Sequence, residues 1–146
     1  MSNVAGPDQG PVLLDTDVFS KVFVQAPRDD IGRAWVAALA GRTVVVAVQT
    51  EVELRVWPRL RNWGEQRTAA LLERIGSVPT IQVNELVQAE YVGLTVWAKK
   101  AAHAIGAKEH AADRWIAATA LAHGLDLAAI DGIYDGIERL KRLRAG

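Results

Sequence analysis

The chain has 146 residues with 17 Lys and Arg against 17 Asp and Glu, so its formal net charge at pH 7 is zero. This balance argues against a protein that holds nucleic acid or membrane through bulk positive charge. The hydrophobic fraction of 50% excludes a disordered chain, and the lack of cysteine excludes disulfides, thiolate metal sites and cysteine nucleophiles.

This length predicts a single domain, residues 11–146, after a flexible leader of residues 1–10. The leader is polar, and it lacks the basic start and apolar run of a secretory signal. No apolar stretch approaches the roughly 20 residues that span a bilayer. We therefore expect a cytoplasmic protein that makes no membrane contact.

Four short segments rich in aliphatic residues predict strands. The first stops at Asp15 and the last at Asp131. The second has no alternation of polar and apolar residues, which is typical of a central parallel strand covered on both faces. The predicted strands are residues 11–14, 43–48, 80–83 and 125–130.

Helical patterns separate these strands. We expect Thr50 to cap a helix that carries Glu53 and that Pro58 kinks or ends, and Asp113 to open a buried helix. Asp29 or Asp30 is expected to cap a helix after a turn at 27–30. The other predicted helices are residues 17–21, 31–39, 64–74, 85–104 and 113–123, with a basic amphipathic turn or helix at 138–144. In the helix of residues 85–104 the inward set is predicted as Leu86, Ala89, Val92, Val96 and Trp97.

The alternation of strand and helix predicts an α/β fold, a three-layer α/β/α sandwich around a mainly parallel sheet. Ligands bind such sheets at the carboxyl ends of the strands, where Asp15 and Asp131 fall. Glu53 and Asp113 in nearby first turns would bring four carboxylates to one edge, where they repel one another unless a divalent cation neutralises them. A single Asp at a strand exit is, however, more often a helix cap.

Oxygen ligands favour Mg²⁺, with Mn²⁺ as a substitute. Because a bound metal lowers the pKa of an attacking water, an open acidic pocket of this kind suits phosphodiester hydrolysis.

Three segments carry a family resemblance: residues 12–20 (VLLDTDVFS), 49–55 (QTEVELR) and 112–124 (ADRWIAATALAHG). Together they resemble the PIN-domain ribonucleases, specifically the VapC-type toxins of bacterial toxin–antitoxin pairs. The likeness extends from residue 12 to about 137, and the third segment is the most specific. It implies a PIN-like domain whose catalytic and metal-ligating acids are Asp15, Glu53, Asp113 and Asp131.

The chain departs from the family pattern at several positions. Asp17 stands where the family has Asn, Ala129 where it has Thr, and Ile133-Tyr134 where it has Asp-Phe, so that Asp135 is a partial substitute for a missing acid. Hydroxyls near the carboxylates are expected from Thr16 and Thr119. For Thr119, a bond back to a helix carbonyl is an equal alternative.

The resemblance further implies a Mg²⁺-dependent endoribonuclease toxin that forms a homodimer. A VapB-type antitoxin would silence it by inserting a basic or apolar segment into the acidic groove, and the toxin would associate with DNA only indirectly through that antitoxin. An alternative is a catalytically impaired PIN-like module that acts only by binding its partner. A receiver-type regulator is a third reading, but nothing after Val48 supplies its phosphoacceptor.

Arginines interleave with tryptophans after Glu53. Arg55, Arg59 and Arg61 are candidate RNA contacts, since cations bind phosphates and exposed aromatic rings stack on unpaired bases. The alternative makes the arginines a solvated face and places Trp57 and Trp63 in the core or an interface, and for the tryptophans we favour this second interpretation.

Overall fold

The structure, a computed structural model, describes residues 10–25 and 29–145, so most of the predicted leader and part of the turn at 27–30 lie outside it. Within these ranges the strands are β1 Val12–Leu14, β2 Val44–Ala47, β3 Thr80–Ile81, β4 Asp126–Ala128 and β5 Arg142–Leu143. The α-helices are α1 Thr16–Phe19, α2 Asp30–Leu39, α3 Val48–Leu60, α4 Glu65–Gly76, α5 Glu85–Lys100 and α6 Ala111–His123. None of the helices described is long and apolar enough to cross a membrane.

The five strands form one sheet in the order β3-β2-β1-β4-β5, and every neighbouring pair is parallel. In β1, Val12 lies opposite Val44 of β2 on one side and Asp126 of β4 on the other. The strands that follow β1 in the chain therefore lie on both sides of it, with β2 and β3 on one side and β4 and β5 on the other. Such a switch point leaves a crevice at the carboxyl end of β1, where ligands bind in sheets of this kind.

Alternate strand residues build two cores, one on each face of the sheet. Leu13 packs in one core with Leu94 of α5 and Ile116 of α6. Leu14 packs in the other with Phe19 of α1 and Leu54 of α3. Because successive side chains of a strand point to opposite faces, three apolar residues of β1 serve both layers. The predicted three-layer α/β/α sandwich with a parallel sheet is confirmed.

The inward face predicted for α5 is wrong. Val87, Leu94 and Ala98 are the buried residues of this helix, whereas Leu86 and Val92 of the predicted set are exposed. Val96 and Trp97 of that set are exposed as well. This helix is apolar on more than one side, and neighbouring residues of a helix lie about 100° apart, so a shift of one position selects a different face. The α5 helix thus presents an uncovered apolar surface.

Several predicted boundaries also move. The α3 helix begins at Val48 with Thr50 buried inside it, and it continues through Pro58 to Leu60. Asp113 is the third residue of α6 rather than its first. Asp29 is the residue that caps α2, through its bond from the Gly32 amide.

The basic C-terminal segment does not form the predicted turn or helix along its length. Arg142 and Leu143 form β5 and pair in parallel with Leu127 and Ala128 of β4. Leu143 packs against the core of one face of the sheet, so β5 is an edge strand held on the core.

Candidate functional site

Asp15 lies directly after β1 at the carboxyl edge of the sheet. Its amide donates a hydrogen bond to the Ala128 carbonyl over 2.9 Å, which joins the ends of β1 and β4. Its Oδ1 accepts a bond from the Thr16 amide at 2.7 Å and so caps α1. The residue is only 6% exposed, so this carboxyl group is held almost out of water.

Burial raises the pKa of Asp15 from 3.8 to about 7. The negative charges of Asp17, Asp113 and Glu53 contribute to this rise in the pKa, while the bond from the Thr16 amide opposes it. Three other carboxylates are therefore close enough to act on Asp15. A buried carboxyl among like charges is a common property of functional sites.

Glu53 reaches this edge from α3. The Thr16 hydroxyl donates to Glu53 Oε1 over 2.9 Å and lies 3.1 Å from the hydroxyl of Thr50, which is fully buried. Glu53 itself is exposed. Thr16 thus links the start of α1 to α3, and it is found beside a carboxylate as the sequence predicts.

Asp113 comes from α6, and both of its carboxylate oxygens have protein partners. Nδ1 of His110 lies 2.8 Å from Oδ2. The hydroxyl of Tyr134 donates to Oδ1 over 3.2 Å. His110 immediately precedes α6, and residues three apart at the start of a helix are neighbours, so the spacing to Asp113 was the sequence signal for this contact.

The start of α6 is fixed by the next residue, Arg114. Its guanidinium is buried and donates to the carbonyls of Ile105 and Ala107, each over 2.7 Å, and to the Tyr91 hydroxyl over 3.0 Å. These bonds hold the turns before α6 against the helix. Arg114 therefore anchors the segment that leads into Asp113, chiefly through the carbonyls of Ile105 and Ala107.

Tyr134 is a site residue that the sequence analysis missed. It lies in the short 3₁₀ turn Gly132–Tyr134 after β4, and its ring is 1% exposed. Burial raises the pKa of the phenol, and the charges of Asp15 and Asp113 raise it further. A single tyrosine in a sequence is normally interpreted as a core aromatic. The one signal that Tyr134 belongs to the site was its position in a stretch that departs from the family pattern.

Asp131 and Asp135 face a different environment. Asp131 is exposed, and its Oδ1 accepts a bond from the Ile133 amide at 2.9 Å. Asp135 pairs with Arg144 and Arg142, which lower its pKa. Among the described residues, no hydrogen bond joins either carboxylate to Asp15, Glu53 or Asp113. The charges that act on Asp15 are those of Asp113, Glu53 and Asp17, so the structure brings together three of the four predicted acids, with Asp17 beside them.

The remaining predicted residues lie in ordinary packing arrangements. Thr119 donates back to the Trp115 carbonyl over 2.8 Å, the second of its two alternatives. Trp57 and Trp63 are half-buried against the core, as favoured, and the Arg61 guanidinium stacks 4.4 Å from the Trp57 ring. Arg55 donates to Glu51 Oε2 over 3.1 Å, and Arg59 is exposed.

The three carboxylates approach one another without closing into a cage. Over residues 10–25 and 29–145, no group of three or more His, Asp and Glu side chains is close enough to hold a metal ion by itself. What the edge offers is a set of hard oxygen donors around one buried carboxyl. Such donors suit a cation that keeps part of its water shell.

Comparison with known proteins gives a structural answer. No protein-family model matches the chain, and no curated protein matches its sequence. Solved structures do match: VapBC2 from Rickettsia felis bound to a promoter DNA fragment, at 17% identity and a TM-score of 0.74, covers 93% of this chain and 99% of its own. FitAcB from Neisseria gonorrhoeae, at 28% identity and a TM-score of 0.69, covers 90% and 96%.

VapBC-1 from nontypeable Haemophilus influenzae is similar as well, at 21% identity and a TM-score of 0.71, over 90% of this chain and 96% of that one. The toxin component of these complexes is a PIN domain. The chain described here fits a VapC-type PIN domain over nearly its whole length.

Proposed function

We propose that this VapC-type PIN domain is the toxin of a toxin–antitoxin pair and acts as a Mg²⁺-dependent endoribonuclease. The single observation that carries the proposal is the meeting of Asp15, Glu53 and Asp113, from three different elements, at the switch point of a parallel sheet. Carboxylates are costly to gather, because they repel one another and lose solvation. Without a cation to offset this repulsion, gathering the carboxylates would only lower the stability of the fold.

Magnesium fits this donor set. Mg²⁺ usually binds one or two carboxylates and retains several waters, so it does not require three carboxylates in direct contact. Asp15 and Asp113 would hold the cation, with Glu53 kept in reach by its bond from Thr16. Asp131, which is exposed, would take part through water. Mn²⁺ would substitute, since it also prefers oxygen ligands.

The residues divide the work by position. When bound, magnesium supplies an activated water and offsets the charge on the leaving oxygen. Asp15 anchors the site because its backbone is bonded to β4 and its side chain caps α1. The open carboxyl edge admits a phosphodiester, and no side chain needs to form a covalent intermediate.

Arg55, Arg59 and Arg61 of α3 and its end are proposed as RNA contacts. Arg59 is exposed and lies six residues beyond Glu53 on α3, while Arg61 is stacked on Trp57. The test is binding of a fluorescent single-stranded RNA by Arg59→Gln, with Arg33→Gln on α2 as the control. A phosphate contact predicts weaker binding and a shallower salt dependence for Arg59→Gln alone. Equal binding by both variants would contradict an RNA contact at Arg59 of α3.

The partners follow from the same proposal. A VapB-type antitoxin would insert a basic or apolar segment at the acidic edge, and DNA would be reached only through it. A homodimer is supported by uncovered apolar residues, Val52, Val56 and Leu60 at intervals of four on α3, and Val92 on α5. Light scattering on the wild type and Leu60→Lys tests this, and a monomeric wild type would contradict it.

The deciding experiment is RNA cleavage by the wild type, Asp15→Asn and Asp113→Asn, with Mg²⁺ and then with chelator. Asp30→Asn is the matched control, because it makes the same chemical change at an exposed residue on α2. Loss of cleavage in the first two variants and on chelation supports the proposal. Cleavage by Asp15→Asn at the wild-type rate would sink it.

A second candidate is a PIN-like module without catalysis that acts only by binding its antitoxin. It is favoured by the exposed position of Asp131 and by the protein partners that already occupy both oxygens of Asp113. Calorimetry with Mn²⁺ separates the two candidates. A catalytic site binds the ion and loses that binding in Asp113→Ala, whereas a module with a dismantled site binds none.

A further inference from the structure

Tyr134 combines a core position with a contact at the acidic edge. Its ring is almost completely buried and belongs to the same core as Leu13 and Leu127. Its hydroxyl leaves that core and donates to Oδ1 of Asp113 over 3.2 Å. The phenol thus connects the turn after β4 to a carboxylate on α6, two parts of the chain 21 residues apart.

The opposite side of the same carboxylate is held by His110. This ring is half-buried and places Nδ1 at 2.8 Å from Oδ2 of Asp113. A carboxylate with both oxygens engaged by rigid rings has little freedom to rotate. A preset orientation of this kind is what a binding group needs, because ordering it on binding costs affinity.

We infer that Tyr134 is a positioning residue that orients Asp113 toward Asp15 for cation binding. This inference rests on the proposed function. A hydroxyl suits the position better than an acid, because a neutral donor attracts the carboxylates of Asp113 and Asp15, whereas another carboxylate there repels both. Partners of this type that fix metal-binding side chains typically change metal affinity by about 10- to 100-fold.

The plain alternative is that Tyr134 only fills the core. Its ring would then matter and its hydroxyl would not. Tyr134→Phe separates the two, because it keeps the ring in place and removes only the hydroxyl, which bonds Asp113 and also interacts with Asp15. The chain offers a matched control in Tyr91, whose hydroxyl also takes part in one side-chain bond, from Arg114 over 3.0 Å. Tyr91→Phe leaves in place the two shorter bonds by which Arg114 holds the carbonyls of Ile105 and Ala107.

The test is calorimetric titration with Mn²⁺ of the wild type, Tyr134→Phe and Tyr91→Phe. We expect the dissociation constant for Mn²⁺ to rise about tenfold or more in Tyr134→Phe and to stay within about threefold in Tyr91→Phe. A Tyr134→Phe variant that binds Mn²⁺ as tightly as the wild type overturns the inference.

A metal-free measurement keeps this inference distinct from the proposed function. In the apoprotein, the ¹³Cγ resonance of Asp113 should shift or broaden in Tyr134→Phe and remain unchanged in Tyr91→Phe. If the wild type binds no Mn²⁺ at all, the magnesium proposal fails, and the resonance alone decides whether Tyr134 orients Asp113. An unchanged resonance in Tyr134→Phe also overturns the inference.

Discussion

The hydroxyl of Thr16 donates to Oε1 of Glu53 over 2.9 Å, and this bond joins α1 to α3 across the carboxyl edge of the sheet. The same hydroxyl lies 3.1 Å from that of Thr50. Thr16→Val keeps the shape of the side chain and removes both contacts. We therefore expect it to lower the free energy of unfolding, measured in urea, by about 1–3 kcal/mol.

Thr119→Val is the control for that substitution. Thr119 is equally buried, but its hydroxyl only bonds back to a carbonyl within its own helix. Thr119→Val should lower the free energy of unfolding by less than about 1 kcal/mol, because such bonds add little to the stability of a helix. Equal losses in the two variants would contradict a structural role for the Thr16–Glu53 contact.

The pH dependence of stability is set in part by Asp15. Its pKa is about 7 in the folded protein against a usual value of 3.8, so between these values the folded state holds a proton that the unfolded state has released. Stability contributed by this group is therefore present below about pH 4 and is lost as the pH rises to about 7, by up to about 1.4 kcal/mol per pH unit.

Asp15→Asn should remove this part of the slope. Unfolding in urea with chelator present, at several pH values, measures it: the variant should equal the wild type near pH 4 and exceed its stability near pH 8. Parallel profiles for the two proteins would show that Asp15 titrates as an ordinary carboxyl.

Arg142 holds the C-terminal strand to the site region. Its side chain is 8% exposed, and it donates to the Ala129 carbonyl over 2.9 Å and to Asp135 over 2.7 Å. Arg142→Met leaves that buried carbonyl without a partner. We therefore expect it to lower the free energy of unfolding, measured by heat and by urea, by about 2 kcal/mol. Arg144→Met, at a side chain 67% exposed that pairs with the same acid, should lose less than about 0.5 kcal/mol.

Gly124 ends α6 with φ of +63°, the left-handed conformation that favours glycine at this position. A methyl group there would meet no atom within 4 Å, so the cost of Gly124→Ala comes from the backbone alone, about 1 kcal/mol.

Gly76, the last residue of α4, has equally open surroundings and no positive φ. Gly76→Ala should raise stability by up to about 1 kcal/mol, because alanine is the better helix former. A loss in this variant, measured by urea unfolding, would show that free space and backbone angle do not account for the two glycines.

The fold was predictable because its signals are local and repeated. Short aliphatic strands that end in Asp15 and Asp131, separated by helical patterns, leave few alternatives to a parallel sheet between helices. The inward face of α5 was not predictable in the same way. Leu86 and Val87 are both apolar, and only the neighbouring elements decide which of them is buried.

The candidate site shows the same division. Asp15 and Asp113 follow from a strand end and a helix start, which the sequence marks. Glu53 was expected in the first turn of its helix, but α3 begins earlier, at Val48, and Glu53 lies in its second turn. Tyr134 could not be identified from the sequence, because its role depends on the path of the turn after β4. Whether a carboxylate such as Asp131 points to the edge or to solvent depends on backbone angles over two or three residues, and side-chain chemistry does not reveal them.

The position of β1 in the sheet has a consequence for synthesis. Among the strands described it is synthesised first, yet the carbonyl that its Asp15 amide requires belongs to Ala128, and Tyr134 follows later still. The nascent chain therefore carries Asp15 without its strand partner until Ala128 has been made. Whatever chemistry this edge performs is withheld until the turn that carries Tyr134 has followed.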